Sequence, residues 1–306
     1  MRSGANVTIE ALAITGGGGS RIGANAIGGG GILNEGALRL FDSIVRDNTV
    51  AASGNRARLG GGIYSASSKL LTIRASEIAG NRASRGGGIF IGDGDAVIEF
   101  ATVSGNQSGS DGGGIHSEGS ETLSLERCVV IDNRAGGVGG GVSASSALKL
   151  VDSTVAGNSA SAGGGISSGN KLLKVEGSTI EGNVATAAAG FGGGINVGRG
   201  GLALGDSMVE DNQAGLGAGI FSAFSSADVK LTASTVAGNV ATADGGGIWN
   251  QSAEIDLNGS KVIDNRAGGL GGGIFVRVPE PEVRLRNGSI VAGNQPDQCF
   301  PAGLKC

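Results

Sequence analysis

Short apolar alternations recur along the chain and are interrupted at regular intervals by glycine and asparagine. Leu148-x-Leu150, Leu173-x-Val175, Leu202-x-Leu204 and Ile255-x-Leu257 are representative. A period of two in runs this short signals strands, and no stretch carries helix caps with a 3.6-residue period. Two signatures set the phase. The first, [Val/Ile]-x-x-Asn, ends at Asn48, Asn81, Asn106, Asn133, Asn158, Asn183, Asn212, Asn239, Asn265 and Asn294. Serine stands five residues before eight of these ten asparagines, and Ala101 and Cys128 fill the other two places. The second, Gly-Gly-Gly-[Ile/Val], ends at Ile32, Ile63, Ile89, Ile115, Val142, Ile166, Ile195, Ile248 and Ile274, with a Gly-Ala-Gly variant at Ile220. Asn48 to Asn294 is 246 residues over nine intervals, a mean period of about 27.

Each unit reads as three short strands: the apolar alternation, the run through Ser-x-Val to the asparagine, and the run from the glycine cluster through Ile. Three strands in about 27 residues fit one coil of a parallel β-helix, and the repeat matches neither a propeller blade nor a leucine-rich repeat. The expected fold is all-β: a single-stranded right-handed parallel β-helix, or β-solenoid, of about 11 coils of three short strands. Stacked coils bring equivalent residues together. Val, Ile and Leu form internal columns, each buried side chain contributing roughly 1.5 to 3 kcal/mol. Asparagine tolerates a left-handed corner, and stacked amides can hydrogen-bond as a ladder. Glycine suits a corner where backbone meets backbone. At about 4.8 Å per rung the rod is roughly 50 Å long. It is expected to form one solenoid domain over 1–306, with coils over about 7–294 and a tail over 295–306. Loops containing Ala51–Arg58 and Thr186–Phe191 lengthen two coils and should protrude.

Composition narrows the functional classes. Glycine supplies 63 of 306 residues, against a usual level near 7%. The glycines cluster and proline totals four, which excludes collagen, while 39% hydrophobic residues and a net charge of -4 exclude a disordered polyelectrolyte. A mildly acidic chain offers no broad basic surface, so nucleic acid is not an expected partner. No apolar run reaches the roughly 18 residues of a membrane span. With one histidine, any catalysis would rest mainly on carboxylates, and no cofactor or metal site is expected.

The repeats resemble those of the pectate-lyase-like β-helix superfamily and are most similar to polymorphic outer-membrane protein repeats of autotransporter type. That family carries Gly-Gly-Ala-Ile and Phe-x-x-Asn; here Gly-Gly-Gly-Ile replaces the first, and Val or Ile replaces Phe, as in Val155–Asn158 and Val236–Asn239. The likeness covers about residues 7–300. It implies a secreted or cell-surface β-helix acting as a stalk, an adhesin passenger or an extracellular interaction module, with a glycan or a host or cell-surface protein as partner. The alternative it leaves open is a polysaccharide lyase or glycoside hydrolase on the same scaffold. No leader precedes Val7, and an uncapped solenoid end exposes apolar columns, so the chain is expected to be part of a longer one. Cys299 and Cys306, seven apart, are a disulfide candidate that would close the last coil; Cys128 fits the serine column as a small buried residue.

The weak catalytic candidates are His116 and Glu118, which alternate outward after Ile115, with Asp93 and Asp95 one coil earlier and Glu121 nearby. A solvated rim is the competing reading. The formal sequons at Asn106, Asn250, Asn258 and Asn287 are short enough to arise by chance. The residue after each glycine cluster forms a more regular column: Leu33, Tyr64, Phe90, His116, Ser143, Ser167, Asn196, Phe221, Trp249 and Phe275. Alternation turns this column outward. Tyr64, Phe90, Phe221, Trp249 and Phe275 are therefore the candidate binding residues, an exposed apolar strip for a glycan or protein, set against simple cross-strand stacking. A Thr column at Thr102, Thr154, Thr179 and Thr235 is interrupted by Glu77, Met208 and Lys261.

Overall fold

The computed structural model describes residues 4–22, 26–50, 56–119, 121–224, 226–251, 254–277, 283–301 and 306. Three sheets, each eleven strands deep, run the length of the molecule. The first extends from Asn6–Glu10 through Ala147–Val151 to Val283–Arg286, the second from Ala13–Thr15 through Thr154–Ala156 to Ile290–Ala292, and the third from Ile32–Asn34 through Ile166–Ser168 to Cys299–Phe300. Every interior strand in these sheets pairs in parallel with its equivalents one coil before and after, as in Lys149↔Lys174 and Val155↔Ile180. This is the three-strand coil read from the sequence, wound as a right-handed parallel β-solenoid. A narrow fourth sheet of eight two-residue strands, Arg82–Ala83 to Arg266–Ala267, follows the asparagine corner. The antiparallel pair among the described strands is the hairpin of Ser20–Ile22 with Ala26–Gly28.

The inward columns fuse into one continuous core, in which Leu38, Leu40, Ile98, Leu150, Val155, Ile180, Val236 and Ile274 are fully buried. Each repeated residue has a separate task. The asparagines are buried. Asn158 donates through Nδ2 to Asn183 Oδ1 at 3.0 Å and to Val130 O at 2.9 Å, while its Oδ1 accepts both the backbone N–H and Nδ2 of Asn133. The same pattern runs from Asn48 to Asn294. The expectation that asparagine itself takes the left-handed corner is corrected: the positive φ falls on the residue before it, Asp or Gly, as at Asp132 (56°) and Gly157 (61°). Asparagine is then free to aim its amide along the axis. The serines make a second ladder, in which Ser153 and Ser178 Oγ accept the N–H of Cys128 and Ser153 at 3.0 Å. Buried Cys128 substitutes for serine, its Sγ donating to Ile98 O and Glu126 O.

The glycine clusters are required by this close stacking. Gly139 has φ of +69°. A Cβ on Gly140 would approach Gly164 O to 2.3 Å, and one on Gly141 would approach Gly165 O to 2.8 Å and the Asn158 amide carbon to 3.1 Å. The Asn and Gly signatures are thus two sides of one contact.

The chain beyond Asn294, read as a tail, completes the last coil. Gln298 Oε1 accepts the N–H and Nδ2 of Asn294 at 3.1 and 2.9 Å, taking the place of a further asparagine, so Asn294 is not the one-sided end that its position implies. Cys299 then sits at the inward position, in register with Ile274, and forms the disulfide with Cys306. Of the two lengthened coils, residues 51–55 lie outside the described residues, whereas Ala57–Leu59 pairs with Ala26–Gly28. Thr186–Ala189 is exposed as expected, but the loop turns back so that Phe191 reaches the third sheet.

Removing a ladder amide strands a buried N–H and a buried carbonyl. Asn158→Ala should therefore lose about 2 kcal/mol or more, and Gln298→Ala, at the solvated end, about 1 kcal/mol. Equilibrium denaturation of both variants checks this; equal, negligible losses would contradict a structural ladder.

Candidate functional site

The column after the glycine clusters does face away from the main core, as alternation requires. It is nonetheless covered, and the expected exposed strip is corrected. Tyr64 and Phe90 are buried in one separate cluster with Leu59, and Phe221, Trp249 and Phe275 in another, with Trp249 only 5% exposed. The glycine corner folds back over the third sheet: a Cβ on Gly217 would lie 2.9 Å from the Cβ of both Phe221 and Trp249. Phe191 and Leu216 close the side. The rings form a continuous stack, Phe191–Phe221 at 4.7 Å, Phe221–Trp249 at 4.5 Å, Trp249–Phe275 at 5.8 Å and Phe275–Phe300 at 5.4 Å between centroids. Phe191 and Phe300 were not legible as members: Phe191 arrives from a loop and Phe300 follows Gln298-Cys299 instead of a glycine cluster. A shorter stack joins Tyr64, Phe90 and His116, with centroids 5.3 and 5.2 Å apart.

His116 therefore belongs to this second core and not to an acid–base centre. It is 5% exposed, its Nε2 faces Glu118 Oε1 at 3.4 Å, and its Nδ1 is buried without a hydrogen-bond partner. Burial first, then the Arg85 guanidinium, push its pKa down to about 4, with Asp111 opposing them. Arg85 pairs with Glu118 and lies 5.6 Å over the Phe90 ring, so this ion pair closes the stack. The other acidic candidates are dispersed. Asp95 Oδ1 accepts the N–H of Thr122 at 2.9 Å and starts the next strand, and Asp93 and Glu121 are exposed turn residues. The structure brings together His116 and Glu118 alone, and it makes the imidazole neutral and unreachable. Asn106 and Asn250, two of the formal sequons, are buried; Asn258 and Asn287 hydrogen-bond to each other across one rung.

Two register pairs of glutamates were missed, one of them Glu99–Glu126 on the first sheet, beside Arg74 and Arg127. Glu181 and Glu210 are register partners on the outer face of the second sheet. The Glu210 carboxyl is raised by partial burial, then by the charges of Asp211 and Glu181. These glutamates stand two residues before Asn183 and Asn212, a place that no repeated motif marks. Register sets their Cα atoms one rung, about 4.8 Å, apart on the same face, and retaining glycoside hydrolysis uses two carboxyls roughly 5 Å apart. Among the described residues no cluster of His, Cys, Asp and Glu has the geometry to hold a metal, and no helix is long and apolar enough to cross a membrane.

Parallel coils, an unbroken axial core and amide ladders at the corners define a right-handed parallel β-helix. A family model described as right handed beta helix region matches residues 87–265, more than half of the chain, and the chain belongs to that family. Neither the curated proteins nor the solved structures contain a match.

The burial of the rings yields two expectations. Trp249 should emit as a shielded indole, and Trp249→Ala should cost about 3 kcal/mol or more by leaving a cavity in the stack. Ready acrylamide quenching with an unchanged melting temperature would contradict this. For His116, a folded pKa near 4 against about 6.5 unfolded means that the unfolded chain binds the proton first. Its contribution is full above pH 6.5 and falls as the pH drops to 4, by about 3 kcal/mol in total. His116→Phe should flatten that part of the stability–pH curve relative to the parent; parallel curves would contradict the burial argument.

Proposed function

We propose that this β-helix acts outside the cell as a rigid structural module, a stalk or adhesin-like passenger that holds other surfaces apart or presents them. One observation carries the reading: the repeated Asn, Ser, Gly and aromatic residues are all consumed by internal ladders and stacks, so the repeat builds a rod. The Cys299–Cys306 bridge supports an oxidising compartment, and the motif likeness to autotransporter repeats supports a cell-surface setting. The apolar strip for a glycan no longer supports binding, because its rings are covered.

A glycan-active enzyme is the second reading, favoured by the Glu181–Glu210 pair, in which the Glu210 carboxyl is raised. The test is turnover on a panel of uronate and neutral polysaccharides, with Glu210→Gln, Glu118→Gln and Asp95→Asn alongside the parent. The rod reading expects no turnover from any of them. Turnover by the parent that falls at least a hundredfold in Glu210→Gln would establish the enzyme and overturn the rod.

A further inference from the structure

The geometry points to a slot on the outer face of the third sheet for a small aromatic ligand that carries a hydroxyl donor on a short arm. It lies midway along the rod, between the two ring stacks. The register there runs His116, Ser143, Ser167, Asn196 on successive rungs. One stack ends at the His116 imidazole, 5.2 Å from Phe90. The other ends at Phe191, which belongs to the rung of Asn196 and lies 4.7 Å from Phe221. About 14 Å, three rung spacings, separates these ring faces, and the column carries only serines on the two rungs between. The corner does not close down over them. A Cβ on Gly139 would lie 2.7 Å from Ser143 Cβ and one on Gly163 2.9 Å from Ser167 Cβ, against 2.9 Å for Gly217 and Phe221 and 2.7 Å for Gly245 and Trp249. Corner and sheet thus keep one separation whether the residue between them is a serine or an indole. The cover thins at the same rungs: before the glycine clusters, Val138 and Ala162 stand where the next two coils carry Phe191 and Leu216.

The polar groups select the ligand. His116 is 5% exposed, and its Nδ1 has no hydrogen-bond partner. Its register neighbour Ser143, 7% exposed, makes no side-chain hydrogen bond among the described residues. Buried polar groups left in this way call for a partner. The imidazole Nε2 faces the Glu118 carboxylate at 3.4 Å and so carries the ring proton, which leaves Nδ1 as an acceptor. Ser167 Oγ accepts Asn196 Nδ2 at 3.1 Å, so its own O–H remains to donate. Ring faces at both ends of the slot suit an aromatic group that stacks between them. The Nδ1 lone pair lies in the imidazole plane and not along the stack, so the donor that meets it must stand off the ligand ring on a short arm. A flat apolar body with one placed polar group is the usual chemistry of a small-molecule site.

Titration of the purified chain with benzyl alcohol tests this, read by NMR at the imidazole resonances of its single histidine. The expected result is a shift that saturates at low millimolar concentration or below. Benzyl methyl ether keeps the ring and lacks the donor, and it should bind at least fivefold more weakly. In ligand-observed NMR, His116→Phe should remove that preference. Ser143→Phe, which continues the stack through the slot, should weaken binding at least tenfold with a melting temperature unchanged or raised. Ser167→Phe should do the same from the next rung; if neither variant folds, the comparison of alcohol with ether on the parent decides. A shift that never saturates, equal binding of alcohol and ether, or binding indifferent to the folded phenylalanine variants would each overturn the proposal. Its failure leaves the rod reading intact, since that reading is tested by turnover.

Discussion

The stacked asparagine amide is the interaction on which the rest depends. Each one joins three coils: its oxygen takes two donors from the coil before, and its nitrogen donates to the amide oxygen after and to a carbonyl behind, as at Asn158. Such an arrangement satisfies a buried corner completely, and unsatisfied buried polar groups are what a tight backbone turn could least tolerate. Its requirements spread outward. The preceding residue must turn left-handed, the opposing segment must be glycine to let the amide in, and the coils must remain at rung spacing. At that spacing the apolar columns close, and the serine corner acquires its own ladder.

The same constraint explains the second core. Because the glycine segment lies close to the ladder on one side, it passes over the outer face of the third sheet on the other. Large rings there are sandwiched between sheet and corner. Where the column carries Ser143 and Ser167 the residues are also buried, while Leu33 and Asn196 are half-buried, so the cover extends along most of the column. The aromatic and histidine positions are thus variations in packing along one groove, and the depressed His116 pKa is a consequence of that packing.

Most of the architecture was legible because a solenoid repeats its rules. Asn158, Gly140 and Leu150 each recur in kind every coil, so period and alternation gave strands, sheets and core. What escaped was anything not repeated. Alternation told which way Trp249 points but not that Gly217 and Phe191 lie over it, since cover is a long-range property. Gln298 ends the ladder from four residues beyond Asn294 with no motif to announce it. Glu181 and Glu210 meet only through register, at a place in the coil that no repeated motif marks.

Hydrogen–deuterium exchange across the corners tests the central claim most directly. If the amide ladder closes the coils, the backbone N–H groups of Asn106, Asn133, Asn158, Asn183 and Asn212 exchange as slowly as the apolar strands beside them, near the limit set by opening of the whole rod. If these corners exchange like the exposed Thr186–Ala189 loop while the strands stay protected, the ladder does not hold the coils and the account is wrong.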